Sequence, residues 1–231
     1  SIARNAAVDH KESVGFFSLE MGDHQIAMRL LCAESKVDSH LVRTGNLPKS
    51  QWKNLSIHVG TLAEAPIYLD DSPAITVLEL RAKARRLKAE HDVKMIIVDY
   101  LQLMQGPKGV ESRQQEISII TRSLKSLAKD LKIPIVALSQ LSRAVENRSD
   151  RRPQLSDLRE SGAIEQDADV VMFLYRQWVY SREDQDRGKA QIIISKQRNG
   201  PTGTVNVTFI DRFARFENMS VYETEEAEVP F

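Results

Sequence analysis

Three short apolar runs in this chain end in side chains suited to phosphate and water chemistry. Phe16-Phe17-Ser18-Leu19 runs into Glu20, Met95 to Val98 runs into Asp99, and Ile135-Val136-Ala137-Leu138 runs into Ser139-Gln140. If these runs are neighbouring parallel strands, their carboxyl ends share one sheet edge, the place where α/β proteins bind ligands. An acid that ends a hydrophobic strand can hold a magnesium ion, or its waters, beside nucleotide phosphates, and Asp99 fits that role. A second acid on the adjacent strand can orient and deprotonate an attacking water, and Glu20 is placed for it. Gln140 can position that water or sense a γ-phosphate. A strand-end acid can equally begin a loop or cap a helix, which is how Asp70 and Asp71 are read ahead of Ser72-Pro73.

Lys196 and Arg198 leave the run Ile192-Ile193-Ile194-Ser195 two residues apart, so a continuing strand directs both cations to one side. Such a pair can grip phosphates, and an arginine can supply charge to a phosphoryl-transfer transition state from a neighbouring subunit. The alternative is a solvated edge strand guarded by positive charge. The polar stretch Asp157 to Asp167, which contains Arg159, Glu160 and Gly162, precedes another apolar run. It reads as a ligand-facing loop in which amides near Gly162 and Arg159 hold a phosphodiester while Glu160 positions that arginine. A helix start with a solvated linker fits the same composition. The basic run Arg81, Lys83, Arg85, Arg86 and Lys88 reads as a wet outer helix face.

These residues need a scaffold, and the hydrophobic pattern describes one. Val14 to Leu19, Pro66 to Leu69, Met95 to Val98, Ile133 to Leu138 and Asp169 to Tyr175 read as buried strands. Between them lie helical periods, clearest at Ile117, Ile120, Leu124, Leu127 and Leu131. Ser112 with Gln115, and Thr76 with Glu79, supply capping boxes; the second opens a helix bearing Val77, Leu80, Ala84 and Leu87. Strands alternating with amphipathic helices predict a mostly parallel α/β sheet covered on both faces. Gln191 to Ser195, Thr204 to Ile210 and Arg215 to Phe216 are joined only by turns, which predicts an antiparallel extension at the C-terminal end. The glutamate-rich end is expected to be frayed and solvated.

With 231 residues, 42% hydrophobic and 28% charged, the chain can build a core without staples, and its single cysteine, Cys32, forbids an intrachain disulfide. No Cys/His set has zinc-ligand spacing, and no apolar run approaches the roughly 20 residues needed to cross a bilayer. A formal net charge of +0 excludes coating nucleic acid by bulk charge, although a local basic strip on converging subunits remains open.

Five ordered stretches, FFSLEM, IIVDYLQLM, PIVALSQLSRAVE, DLRESGAIEQDAD and SKQRNGPTG, resemble the bacterial DnaB-type replicative helicases. The resemblance runs from Val14 to about Phe216. It implies a RecA-like motor over residues 1–218, incomplete at its N-terminus, with residues 219–231 as an acidic tail. It further implies a cytoplasmic homohexameric ring, with no membrane attachment, that hydrolyses ATP with Mg²⁺ between subunits. That ring translocates on single-stranded DNA, unwinds forked DNA, and meets a primase and a helicase loader. By resemblance Glu20 is the catalytic glutamate, Asp99 the aspartate on the magnesium side, and Gln140 the glutamine that couples nucleotide state to the DNA loops. Arg198 matches the finger that reaches the next subunit's nucleotide, Lys196 its companion, and Arg29 a residue near the bound nucleotide. Arg159, Glu160 and Gly162 match a central loop that tracks the DNA backbone, and Gly106 to Gln114 a second, mobile central loop.

One departure stands out: no G-x-x-x-x-G-K-[ST] occurs in these residues. The family places that loop just before Ser1, and Ser1 to Val8 then resembles the end of the helix it opens. The chain by itself is therefore expected to bind ATP weakly or not at all. Two other readings compete, a different RecA-like ATPase and a non-catalytic ring or interaction module; the joint presence of Glu20, Asp99 and Arg198 speaks against the second.

Overall fold

A computed structural model describes residues 1–107, 109–110 and 112–219, with only the backbone of 159–161. The glutamate-rich end from 220 onward lies outside the described residues. Helix α1 (Ile2–Arg4) widens into a π turn over Asn5–Asp9. There follow β1 (Val14–Ser18), α2 (Asp23–Ser35), α3 (Ser39–Arg43), α4 (Lys49–Ala63), β2 (Ile67–Asp70), α5 (Val77–His91), β3 (Met95–Asp99), α6 (Arg113–Leu131) and β4 (Ile135–Ala137). The chain continues through α7 (Gly162–Asp167), β5 (Val170–Tyr175), α8 (Trp178–Ser181), β6 (Lys189–Gln197), β7 (Gly203–Ile210) and β8 (Arg215–Asn218).

The first four strands form a parallel sheet in the order β2-β1-β3-β4. The two inner strands are buried, with Val14, Phe17, Ile96 and Val98 fully so, whereas β2 and β4, expected to be buried, flank them and are only partly covered: β4 is just Ile135–Ala137, and Ala137 and Leu138 are exposed. The expected stripe on α6 packs here: Ile117, Ile120, Leu124 and Leu127 join Leu80 and Ala84 of α5 in one core cluster. Thr76 and Glu79 form the expected capping box at α5, whereas at α6 Ser112 Oγ accepts the Gln115 N–H (3.2 Å). Leu127 is wholly buried in this cluster. Leu127→Ala is expected to cost about 2–5 kcal/mol, read as a lower urea midpoint at unchanged slope.

The basic helix face behaves as composition suggested. Arg85 pairs with Asp130 (3.1 Å), Arg86 with Glu90 (3.0 Å) and Lys88 with Asp92 (2.6 Å), all toward solvent. Asp70 and Asp71 are likewise engaged structurally: Asp70 accepts from Lys83 Nζ (2.6 Å), and Asp71 accepts the Asp23 N–H at the start of α2 (3.2 Å).

The last four strands make an antiparallel sheet of their own, β5-β6-β7-β8. Asp169 to Tyr175, expected among the buried strands, instead alternates: Val171 and Phe173 are buried while Val170, Met172 and Leu174 are exposed. That period-two pattern marks a strand covered on one face, and its partner is β6, not β4. Strand β6 is flanked on both sides, by β5 and β7. The β7 ladder ends at Ile194, so Lys196 lies beyond it, paired with Val171 of β5, and Arg198 follows the end of the strand.

A charge cluster joins α1 and α2 to β8. Arg4 donates to Glu34 on α2 and to Asp9 (2.6 Å), and Glu34 lies 4.0 Å from Arg215 at the start of β8. Arg215 also donates to the Ala33 carbonyl (3.1 Å), and the Phe216 N–H donates to Ser1 Oγ (3.1 Å). Burial alone would make the Glu34 carboxylate costly, but the two guanidiniums hold its pKa below the ordinary value. Among the described residues no helix is long and apolar enough to cross a membrane.

Candidate active site

The parallel register places two of the acids side by side. Ser18 pairs with Asp99 across β1 and β3, and the Leu19 N–H donates to the Asp99 carbonyl (2.7 Å). Ser18, 1% exposed, donates its hydroxyl to the Met21 carbonyl (2.7 Å) and accepts the Met21 N–H (3.3 Å). This hydroxyl closes the turn after β1 and leaves Glu20 exposed within it. Strand β4 is stitched to the same edge: the Leu138 N–H donates to Val98 O and the Leu101 N–H to Leu138 O, each at 2.9 Å. Gln140 emerges from there, exposed.

Asp99 is half-buried, and its carboxyl is pushed above the ordinary value, first by burial and then by the Glu20 charge, with Arg29 opposing. Glu20, Asp99 and Arg29 thus share one electrostatic neighbourhood. Arg29 lies exposed on α2 and, with Asp99, Met21, Arg4 and Arg215, lines a cleft of about 200 Å³. Two adjacent acids opposed by one arginine form an anionic edge suited to a divalent cation. Among the described residues no group of three or more His, Cys, Asp or Glu could hold a metal.

The sign of the Asp99 shift yields a prediction. A carboxyl with a raised native pKa supports the fold below its unfolded value and loses that support as pH rises through the native value. Asp99→Asn, neutral at every pH, is expected to melt above wild type at pH 7. The difference should close as pH falls below about 4, where Asp99 itself is protonated. Thermal melts across that range check it.

Lys196 and Arg198 converge as the strand spacing required, but on another feature. Lys196 Nζ donates to the Glu165 and Gln166 carbonyls and Arg198 Nη2 to the Gln166 carbonyl (3.1 Å), at the carboxyl end of α7. Arg198 Nε also lies 3.4 Å from Asp169, which Lys125 contacts in turn. No hydrogen bond or ion pair among the described residues joins these cations to Glu20 or Asp99 within one chain. Arg159 and Glu160 fall in the 3-10 segment Leu155–Ser161, and their side chains lie outside the described residues. Gly162 opens α7 with ordinary helical angles (φ −52°, ψ −23°), and a Cβ there would meet nothing within 4 Å. The chain therefore does not require glycine at that position for its own conformation.

Two residues that support the site from outside it carry different signals in the linear chain. Ser18 carried a signal, a buried hydroxyl inside an apolar strand one residue before the acid's turn. Gln102, whose side-chain amide holds the backbone of Gln140, carried none, since 38 residues separate the two.

Strand-end acids over a parallel sheet, followed by an antiparallel sheet, define a RecA-like α/β module. The crystal structure of the RadB recombinase shares the fold at TM-score 0.54 and 15% identity, over 95% of this chain and 84% of that one. The family is more specific: the model for the DnaB-like helicase C terminal domain matches residues 1–218, and the chain belongs to that family. It is 52% identical over 220 residues to the replicative DNA helicase DnaC of Bacillus subtilis (strain 168), covering 95% of this chain and 48% of that protein. It is 50% identical over 231 residues to the replicative DNA helicase DnaB of Geobacillus stearothermophilus, covering 100% and 51%. Among solved structures, an ATPase domain superposes at TM-score 0.90 with 37% identity, over 94% of this chain and 78% of that one. A DnaB-like replicative helicase described with its interactions with primase gives 0.88 and 37%, over 92% and 52%. The chain thus spans about half the length of the curated relatives it matches.

Proposed function

We propose that this chain is the ATP-hydrolysing motor of a replicative DNA helicase, working with Mg²⁺ between subunits of a hexameric ring on single-stranded DNA. The observation that carries the reading is the register of β1 on β3, which brings the turn bearing Glu20 beside Asp99 at one open edge. Glu20, exposed in that turn, accepts the proton of the attacking water. Asp99 holds the metal side of the site, where bound Mg²⁺ would neutralise charge developing on the transferred phosphate. Gln140, on the adjacent strand end, faces the γ-phosphate, and Arg29 steadies the nucleotide from α2.

Arg198 and Lys196 act on the nucleotide of the neighbouring subunit, since within one chain they stand on the second sheet. Arg159, Glu160 and Gly162 follow the DNA backbone, and the open surface at Gly162 supports close approach there. Primase and a helicase loader are the expected protein partners, and the cytoplasm the expected location. The phosphate-cradling loop is not among these residues, so the chain alone is expected to bind ATP weakly.

The test is unwinding of a forked duplex by the full-length protein, with ATPase measured in parallel. ATP-dependent strand separation, lost with Glu20→Gln, supports the reading; neither activity in a correctly assembled ring would overturn it.

A further inference from the structure

Behind Gln140 lies a polar linkage that the reading above does not use. After β3 the chain makes a 3-10 turn, Leu101–Leu103, and its middle residue, Gln102, turns its side chain onto the end of β4. Gln102 Nε2 donates to Ser139 Oγ (2.9 Å) and to the Gln140 carbonyl (3.2 Å). Gln102 Oε1 accepts the Gln140 N–H (3.2 Å). One side-chain amide therefore engages both backbone polar groups of Gln140. The pattern sets which way the amide faces, because reversing it would aim donor at donor and acceptor at acceptor.

The same residue is gripped from the other side. Arg113, the first residue of α6, donates through Nη2 to the Gln102 carbonyl (2.7 Å) and more weakly to the Met104 carbonyl (3.4 Å). Arg113 also pairs with Glu116, whose Oε1 accepts the Gly106 N–H (2.6 Å). Gly106 and Arg113 both belong to Gly106 to Gln114, the stretch that the family resemblance assigns to a second central loop. Gln102, Arg113 and Gln140 all line one cleft of about 280 Å³, together with Asp157 and Leu158 from the segment leading to Arg159.

We propose that Gln102 is a positioning residue that transmits movement of Gln140 to Arg113, so that hydrolysis and DNA contact respond to each other. The proposal rests on the reading of Gln140 as the group facing the γ-phosphate. Gln102 touches neither nucleotide nor DNA in this arrangement. It acts through the Gln140 backbone on one side and its own carbonyl on the other. A shift of the Gln140 backbone breaks or drags two hydrogen bonds to Gln102, and any shift of the Gln102 backbone moves the acceptor of Arg113.

The experiment uses the full-length ring, with ATPase measured without DNA and with a saturating oligothymidylate strand. For Gln102→Ala, DNA-free turnover should stay within about twofold of wild type while the stimulation ratio falls by about fivefold or more, the lower range for coupled sites. Gln102→Glu keeps the acceptor and loses the donors, so its ratio should lie between the two. It also provides the measurement if the alanine variant does not assemble. Adding Gln102→Ala to Gln140→Ala should cause no further loss of stimulation. Parallel loss of basal and stimulated rates would make Gln102 merely structural and overturn the proposal, as would an unchanged ratio in an assembled Gln102→Ala ring. Retained stimulation in Gln140→Ala would instead overturn the reading of Gln140 on which it rests.

Discussion

Glu20→Gln in the full-length protein lowers the rate of ATP hydrolysis by about 10²–10⁴-fold, the range for removing a positioned general base. The amide preserves the size and the exposed position of the side chain in its turn, so the loss falls on proton transfer. Nucleotide binding is expected to hold, because Asp99, the carboxylate on the metal side, and Arg29 are unchanged. Single-turnover hydrolysis and equilibrium binding of a fluorescent ATP analogue separate the two effects. Loss of binding in step with hydrolysis would make Glu20 a binding group and not a base.

Arg198→Ala is expected to cost about 10³–10⁵-fold in turnover, the range for an arginine acting on a phosphoryl-transfer transition state. In one chain Arg198 is held by the Gln166 carbonyl and by Asp169, while its side chain remains about half exposed (53%). It can exchange these modest contacts for a neighbour's phosphate without exposing a buried charge. Mixing Arg198→Ala subunits with Glu20→Ala subunits should restore activity, because some interfaces then combine an intact Glu20 with an intact Arg198. If no ratio restores it, action across the interface is wrong.

Much of the site was legible because it lies at strand ends, and a buried strand announces itself in five or six consecutive residues. Glu20 and Asp99 stand at the ends of such runs, Gln140 follows the shorter and only partly buried β4, and the family resemblance reached the same three by another route. Helix α6 was equally plain, since five apolar residues at alternating spacings of three and four admit one covered face. Helix α4 was not: it buries only Leu55 and offers no stripe to find. Strand β5 misled for a related reason. Its residues are apolar on both faces, so composition reads as full burial, yet Val170, Met172 and Leu174 are exposed.

Local chemistry in the chain determined which segments become strands and helices and which polar groups stand at their ends, because periods of two and 3.6 are written within a few residues. Tertiary structure alone decided what those ends meet. It set β1 between β2 and β3 so that Glu20 and Asp99 share an edge, and it gave β6 a second partner in β5. It also carried Gln102 to Gln140, and Arg4 through Glu34 to Arg215. Each of these pairings joins residues from about 20 to nearly 200 positions apart, and such contacts are selected by burial and hydrogen bonding across the whole fold, which no local period encodes.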